Sequence, residues 1–185
     1  MAAMFALLEL RDRGDNLIEE KGLNHLKSLR NQSVGNRQCY AVSAEYAGVM
    51  IGPDMGAGTK YDVLVRRGPI FSAADIGSAY QWPLYLWSVI EEPSYDDLVI
   101  GAIINWKRNA KVSEFFKAHK NFGHTGVIRG LENERIQTYE QNAESGEFVA
   151  EYDREFFDSD QIASICIPPD FEKGVMNIWQ NGTFH

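Results

Sequence analysis

At 185 residues the chain is long enough for one domain with a sizeable core. Hydrophobic residues at 44%, aromatics at 12% and the lack of any low-complexity tract exclude a disordered chain. A net charge of −8 disfavours a whole-surface nucleic-acid binder, which needs clustered Lys and Arg to release counterions.

The opening MAAMFALLEL lacks a basic leader region and meets Glu9 and Arg11 early, so it does not read as a signal peptide, and no stretch is long enough to span a membrane. Residues 3–12 predict a short helix. Asp15 caps a second one over Asn16 to Leu29, with Leu17, Ile18, Leu26 and Leu29 on one face. After a turn at Asn31 to Asn36, Gln38 to Ala44 (QCYAVSA) reads as the first core strand. The expected organisation is a single domain, with 1–36 a helical extension of a core over 37–185. Cys39 and Cys166 both sit in apolar, strand-like runs, which suits buried free thiols in a reducing compartment and leaves one disulfide open. His25, His119, His124 and His185 have no ligand spacing with those cysteines, so no zinc site is expected.

Gly52 to Gly58 (GPDMGAG) lacks the Lys-Ser/Thr ending of a phosphate loop and reads as a flexible loop. Tyr61 to Val65 is β-rich and leads to Pro69-Ile70-Phe71, a strand end that runs into a helix. Ser72 followed by Asp75 has capping-box spacing, and Ala73, Ala74, Gly77, Ser78 and Ala79 keep the first turn small. Pro83 should end that helix near Trp82, with PLYLW as a short second helix and Glu91 to Asp97 as a loop. Leu98 to Trp106 (LVIGAIINW) reads as a central strand buried on both faces. Ser113 caps an expected helix containing Phe115 and Phe116, in a segment whose Lys107, Arg108, Lys111, Lys117 and Lys120 form either a solvated face or a phosphate contact. Asn121 to Gly130 is loop or short strand around Val127 and Ile128, and Leu131 to Ala143 is helix-permissive. Glu147 to Tyr152 alternates as a strand, Asp158 to Gln161 is a polar turn, and Ile162 to Ile167 is another strand. Val175 to Trp179 and Thr183 to His185 predict a closing hairpin about Asn181-Gly182. The fold class is α+β, mostly antiparallel, with helices outside the sheet.

Three pieces in order, RGPIFSAADIGSAYQW, DDLVIGAIINW and SGEFVAEYDREFF followed by DSDQIASICI, resemble the ADP-ribosyltransferases, closest to the poly(ADP-ribose) polymerase and diphtheria-toxin branch. The resemblance implies that family's split sheet and NAD as substrate, with no metal. It implies Glu147 as the catalytic carboxylate, steadying an oxocarbenium-like ribose by preorganised charge. Phe71 and Tyr80 would stack on the nicotinamide and Ser72 would floor the pocket. The branch opens with Tyr/Trp-His-Gly-Ser/Thr, for which the nearest segment offers Tyr40 and Ser43 but has Ala41 where the histidine should stand. From the residues alone, Phe71 and Tyr80 read equally well as core aromatics, and Glu147 as a solvent-facing neighbour of Glu151.

The implied activity is mono-ADP-ribosyl transfer from NAD to a macromolecule, most simply a protein, by a toxin or effector. It would act in the cytoplasm or, if secreted, in a host cell, with no membrane partner. The rival readings are an inactive binding module of the same fold and an acidic immunity-type regulator.

Overall fold

Short strands, isoleucine-rich in β2 and β6, build one antiparallel sheet. The computed structural model describes residues 21–56 and 72–169. Its strands are β1 (Ser88–Glu91), β2 (Ile103–Trp106), β3 (His124–Glu132), β4 (Arg135–Glu140), β5 (Ala150–Glu155) and β6 (Ile162–Ile167). They form a six-stranded sheet in the order β1-β6-β2-β3-β4-β5. Helix α1 covers 21–28, α2 is Cys39–Val49 and α3 is Ile76–Ala79. The mixed, mostly antiparallel α+β class read from the sequence is therefore what the chain adopts.

The sheet has an apolar layer on each side. Ile103, Val127, Tyr139 and Cys166 face α2 together with Trp82 and Trp87. Ile104, Trp106, Ile128, Ile136, Ile162 and Ile165 form the opposite layer. Each fully buried isoleucine contributes about 1.5–3 kcal/mol relative to an exposed one. Facing α2, a polar ladder crosses this core: Ser43 Oγ and Thr125 Oγ1 lie 2.9 Å apart, Thr125 Oγ1 donates to Asn105 Oδ1 at 2.8 Å, and Asn105 Nδ2 donates to Ser164 Oγ at 3.0 Å. A ladder satisfied at every step fixes which face of α2 meets which strand.

Several expected elements change identity. Gln38 to Ala44 is not a strand: Cys39 begins α2, and Gln38 is its extended N-cap. Tyr40, Ala41, Val42, Ser43, Tyr46 and Ala47 are all buried, so the helix is apolar over most of its circumference and shows no amphipathic period. Leu131 to Ala143 is not helical but the β3–β4 hairpin, turned by Asn133 and Glu134 with φ of 50° and 58°. Two consecutive left-handed residues are the signature of a type I′ turn, which usually advertises itself as Asn-Gly. Leu98 to Trp106 is a strand only from Ile103, because Gly101 turns the chain at φ 84°. The helix expected after Ser113 is replaced by turns with isolated bridges at Lys111–Lys117 and His119–Gly123. The polar turn at 158–161 and the strand Ile162–Ile167 form as read.

At Ser72 the expected capping box is not made; the hydroxyl donates to the Phe122 carbonyl at 2.9 Å, while Asp75 pairs with Arg108 at 2.5 Å. A capping box does form at Ser94 and Asp97. The helix expected over 3–12, the strand at Tyr61 to Val65, the strand end carrying Phe71 and the hairpin over 175–185 lie outside the described residues. Among the described residues, no helix is long and apolar enough to cross a membrane.

Candidate active site

His124 opens β3 and Glu140 closes β4, so the hairpin delivers both to one end of the sheet. Glu140 pairs in register with Gly126, which shares a face with His124. His124 Nε2 and Glu140 Oε2 lie 2.7 Å apart in a fully buried setting. Cys39, the first residue of α2, lies close enough to the same ring to raise its proton affinity. Glu140 engages Nε2, so Nδ1 is the ring nitrogen that the carboxylate does not occupy. The result is a chain of thiol, imidazole and carboxylate drawn from a helix N-terminus and two strands.

Two clasps hold that geometry. Gln141 Nε2 donates to the carbonyls of Val34 and Gln38 at 3.1 and 2.9 Å, and Asn142 Nδ2 donates to Gln38 Oε1 at 2.8 Å. The residues that follow Glu140 therefore grip the one that precedes Cys39. On the far side, the Ser43–Thr125 bond ties α2 to the residue after His124. Trp106 and Phe116 flank the imidazole with ring centroids at 5.6 and 4.9 Å.

Burial alone would lower the His124 pKa. The charge and hydrogen bond of Cys39, followed by those of Glu140, override it and lift the value from 6.5 to about 9. Burial alone would raise Glu140, but hydrogen bonds from His124 and Arg154 and their charges bring it from 4.5 to about 2. An imidazolium between a thiol and a carboxylate is the state this environment favours. Cys166, the other free thiol, is buried and pushed upward by that burial, which leaves it unreactive, whereas Cys39 is half-buried.

The shifts make stability depend on pH. His124 holds its proton more tightly folded than unfolded, so its contribution is complete below 6.5 and is lost as pH rises through about 9. Glu140 contributes fully above 4.5 and loses that contribution as pH falls through about 2. Unfolding free energy measured in urea should therefore be greatest between pH 4.5 and 6.5 and drop on the alkaline side by on the order of 3 kcal/mol by pH 9. A profile flat from pH 6 to 9 would contradict the imidazolium assignment.

Gly126 is part of the design. A Cβ there would sit 2.6 Å from Glu140 Cγ and 2.9 Å from the Tyr139 carbonyl. Gly126→Ala should push the carboxylate off the imidazole and lower the pKa of that ring while leaving the sheet folded. Circular dichroism alongside a proton NMR titration of the imidazole separates the two effects.

The residues expected from the sequence fall elsewhere. Glu147 is exposed in the bend before β5, its carbonyl accepting from Ser33 Oγ. Tyr80 is buried beyond α3, which packs on β6 and β1 at the other edge of the sheet from β5. Its hydroxyl lies 2.6 Å from that of Tyr40, and Ser43 belongs to the ladder under α2. Ser72 pins the Phe122 segment and accepts from Arg108. Glu147 and Tyr80 are not brought into one cleft, and Phe71 lies outside the described residues. The site that does assemble uses Cys39, His124 and Glu140, none of which was singled out for chemistry. The available signal was a cysteine closing a polar turn and opening a run of small residues, with a histidine far downstream. Among the described residues, no group of three or more His, Cys, Asp and Glu is placed to hold a metal ion.

No family model matches the sequence, and no curated protein does. The fold, however, is shared with solved structures. The structure of Ly7917 with the hydrolyzing product of MDP aligns with a TM-score of 0.64 at 25% identity, over 82% of this chain and 62% of that one. Ly7917 in a second structure gives 0.61 at 23%, over the same shares. PlyC gives 0.59 at 19%, over 80% of this chain and 35% of that one. The chain spans less than two thirds of each of these proteins. These likenesses overturn the expectation of a mono-ADP-ribosyltransferase toxin or effector that uses NAD: the fold is one shared with Ly7917 and PlyC, and the acid that meets a histidine is Glu140.

Proposed function

We propose that the chain is a thiol hydrolase that cleaves amide bonds, with peptidoglycan-type peptides as its substrate class. The observation that carries this reading is the Cys39–His124–Glu140 chain, in which a nucleophile meets a base and the base meets an orienting acid. The Ly7917 structure with a hydrolysis product of MDP supports the substrate class.

The chemistry follows from the parts. The Cys39 sulfur attacks the scissile carbonyl carbon, and the imidazolium of His124 gives its proton to the departing amine. A thioester is left on Cys39. His124, now neutral, takes a proton from water as the hydroxide attacks that thioester, which releases the acid and restores the thiol–imidazole pair. As the first helical residue, Cys39 has a backbone N–H with no intrahelical acceptor, and it lies at the positive end of the α2 dipole. That amide is placed to meet the oxyanion. Glu140 keeps Nε2 occupied, which fixes the ring and leaves Nδ1 for the sulfur.

Purified cell walls incubated with the protein should release new amino groups, and iodoacetamide should stop that release by modifying Cys39 in preference to Cys166. Peptide mass spectrometry locates the adduct. Release that continues with Cys39 fully alkylated would rule the reading out.

A further inference from the structure

The triad's acid does not stand alone. Arg154, on β5, is 2% exposed and makes a double fork. Its Nε and Nη2 donate to the two oxygens of Glu140 at 2.9 and 2.5 Å, and its Nη1 and Nη2 donate to the two oxygens of Glu144 at 2.6 and 2.9 Å. Glu144 Oε1 also accepts from Ser113 Oγ at 2.9 Å, in the segment that carries Phe116. The guanidinium lies over the Tyr152 ring at 4.3 Å and 5.5 Å from the Phe116 centroid, and Phe116 in turn meets His124 edge-on. Thr138 Oγ1 fills the last position on Glu140 Oε1 at 2.5 Å. Arg154 thus touches the acid and the wall of the site, but neither the thiol nor the imidazole.

The geometry points to Arg154 as a positioning residue that keeps Glu140 an oriented anion by separating its charge from that of Glu144, and so sets the pH range over which the Cys39–His124 pair is reactive. With the thiol and imidazole ionised, the five groups (Cys39, His124, Glu140, Arg154, Glu144) carry three negative charges and two positive ones. Removing the guanidinium leaves the two carboxylates that shared it with no cation between them, and a neighbouring like charge disfavours ionisation of the buried one. Glu140, the more deeply buried, takes the proton. A neutral acid no longer stabilises the imidazolium, and the imidazolium no longer stabilises the thiolate. A lysine in the same place restores a point charge but not the fork, so the charge and the geometry can be read separately.

This inference rests on the hydrolase reading, and a substrate-free readout keeps the two apart. The rate of Cys39 alkylation by iodoacetamide is followed against pH for the full chain, for Arg154→Met and for Arg154→Lys, with thermal unfolding measured on each. In Arg154→Met the alkylation profile should move toward higher pH, and cell-wall turnover should fall by on the order of 10² with KM unchanged within about twofold. Arg154→Lys should bring the alkylation profile back toward wild type while turnover stays about tenfold low. If the methionine variant does not fold, the lysine variant decides on turnover. A folded variant with lowered thermal stability but an unmoved alkylation profile and unchanged turnover overturns the inference. If Cys39→Ala retains turnover, the hydrolase reading itself falls; if turnover needs Cys39 but ignores Arg154, only this inference does.

Discussion

On the thiol-hydrolase proposal, Cys39→Ala should lower cell-wall amide hydrolysis by about 10⁴ or more, because groups that act as one unit lose nearly everything when one is removed. The substitution takes away a half-buried side chain at the start of α2 and leaves the Gln38 clasp and the Ser43–Thr125 bond in place, so the fold should survive. It also removes the largest influence that lifts the His124 pKa, and with the thiol gone that ring should titrate well below about 9. Two measurements on one sample therefore test the same contact, a rate and a proton NMR titration of the imidazole. Loss of the rate with an unmoved titration would mean that the sulfur acts without touching the ring.

Glu140→Gln should damage both stability and chemistry. The carboxylate is fully buried and takes charged hydrogen bonds from His124 and Arg154. Breaking a buried pair by neutralising one partner costs about 3–5 kcal/mol, since the remaining charge stays desolvated. Here Glu144 still holds Arg154, so the lower end of that range is the expectation in a urea titration. Turnover should fall by on the order of 10⁴, as happens when an orienting acid in a triad loses its charge and the ring can adopt the wrong tautomer. A variant that keeps wild-type turnover would remove Glu140 from the site, whatever its stability.

The fold class and the strand at Ile162–Ile167 are legible in the sequence, while β1, most of the β3–β4 hairpin and the site are not. Ile162 to Ile167 announces itself by apolar run and flanking turn, and Ile103 to Trp106 by unbroken burial on both faces. The α2 segment misleads because a helix buried nearly all round shows neither of the two diagnostic periods. The β3–β4 hairpin is hidden by Asn133-Glu134, where the left-handed turn is made without the usual glycine. Missing those two elements hid the chemistry, since Cys39 becomes a nucleophile candidate only once it starts a helix, and Glu140 meets His124 only once the hairpin closes. Glu147 drew attention because it follows Ser145-Gly146 and precedes an alternating strand, features that describe a sheet edge as well as they describe a catalytic acid.

The clasp of Gln141 and Asn142 on the residue before Cys39 has a consequence for the life of the chain. Sulfur and ring are carried by segments remote in sequence, and they meet only when helix and sheet have docked. Such non-local contacts form late. On the proposed mechanism a newly made or partly opened molecule carries a thiol without its partner ring, so the rate of iodoacetamide labelling during refolding would time that last docking step.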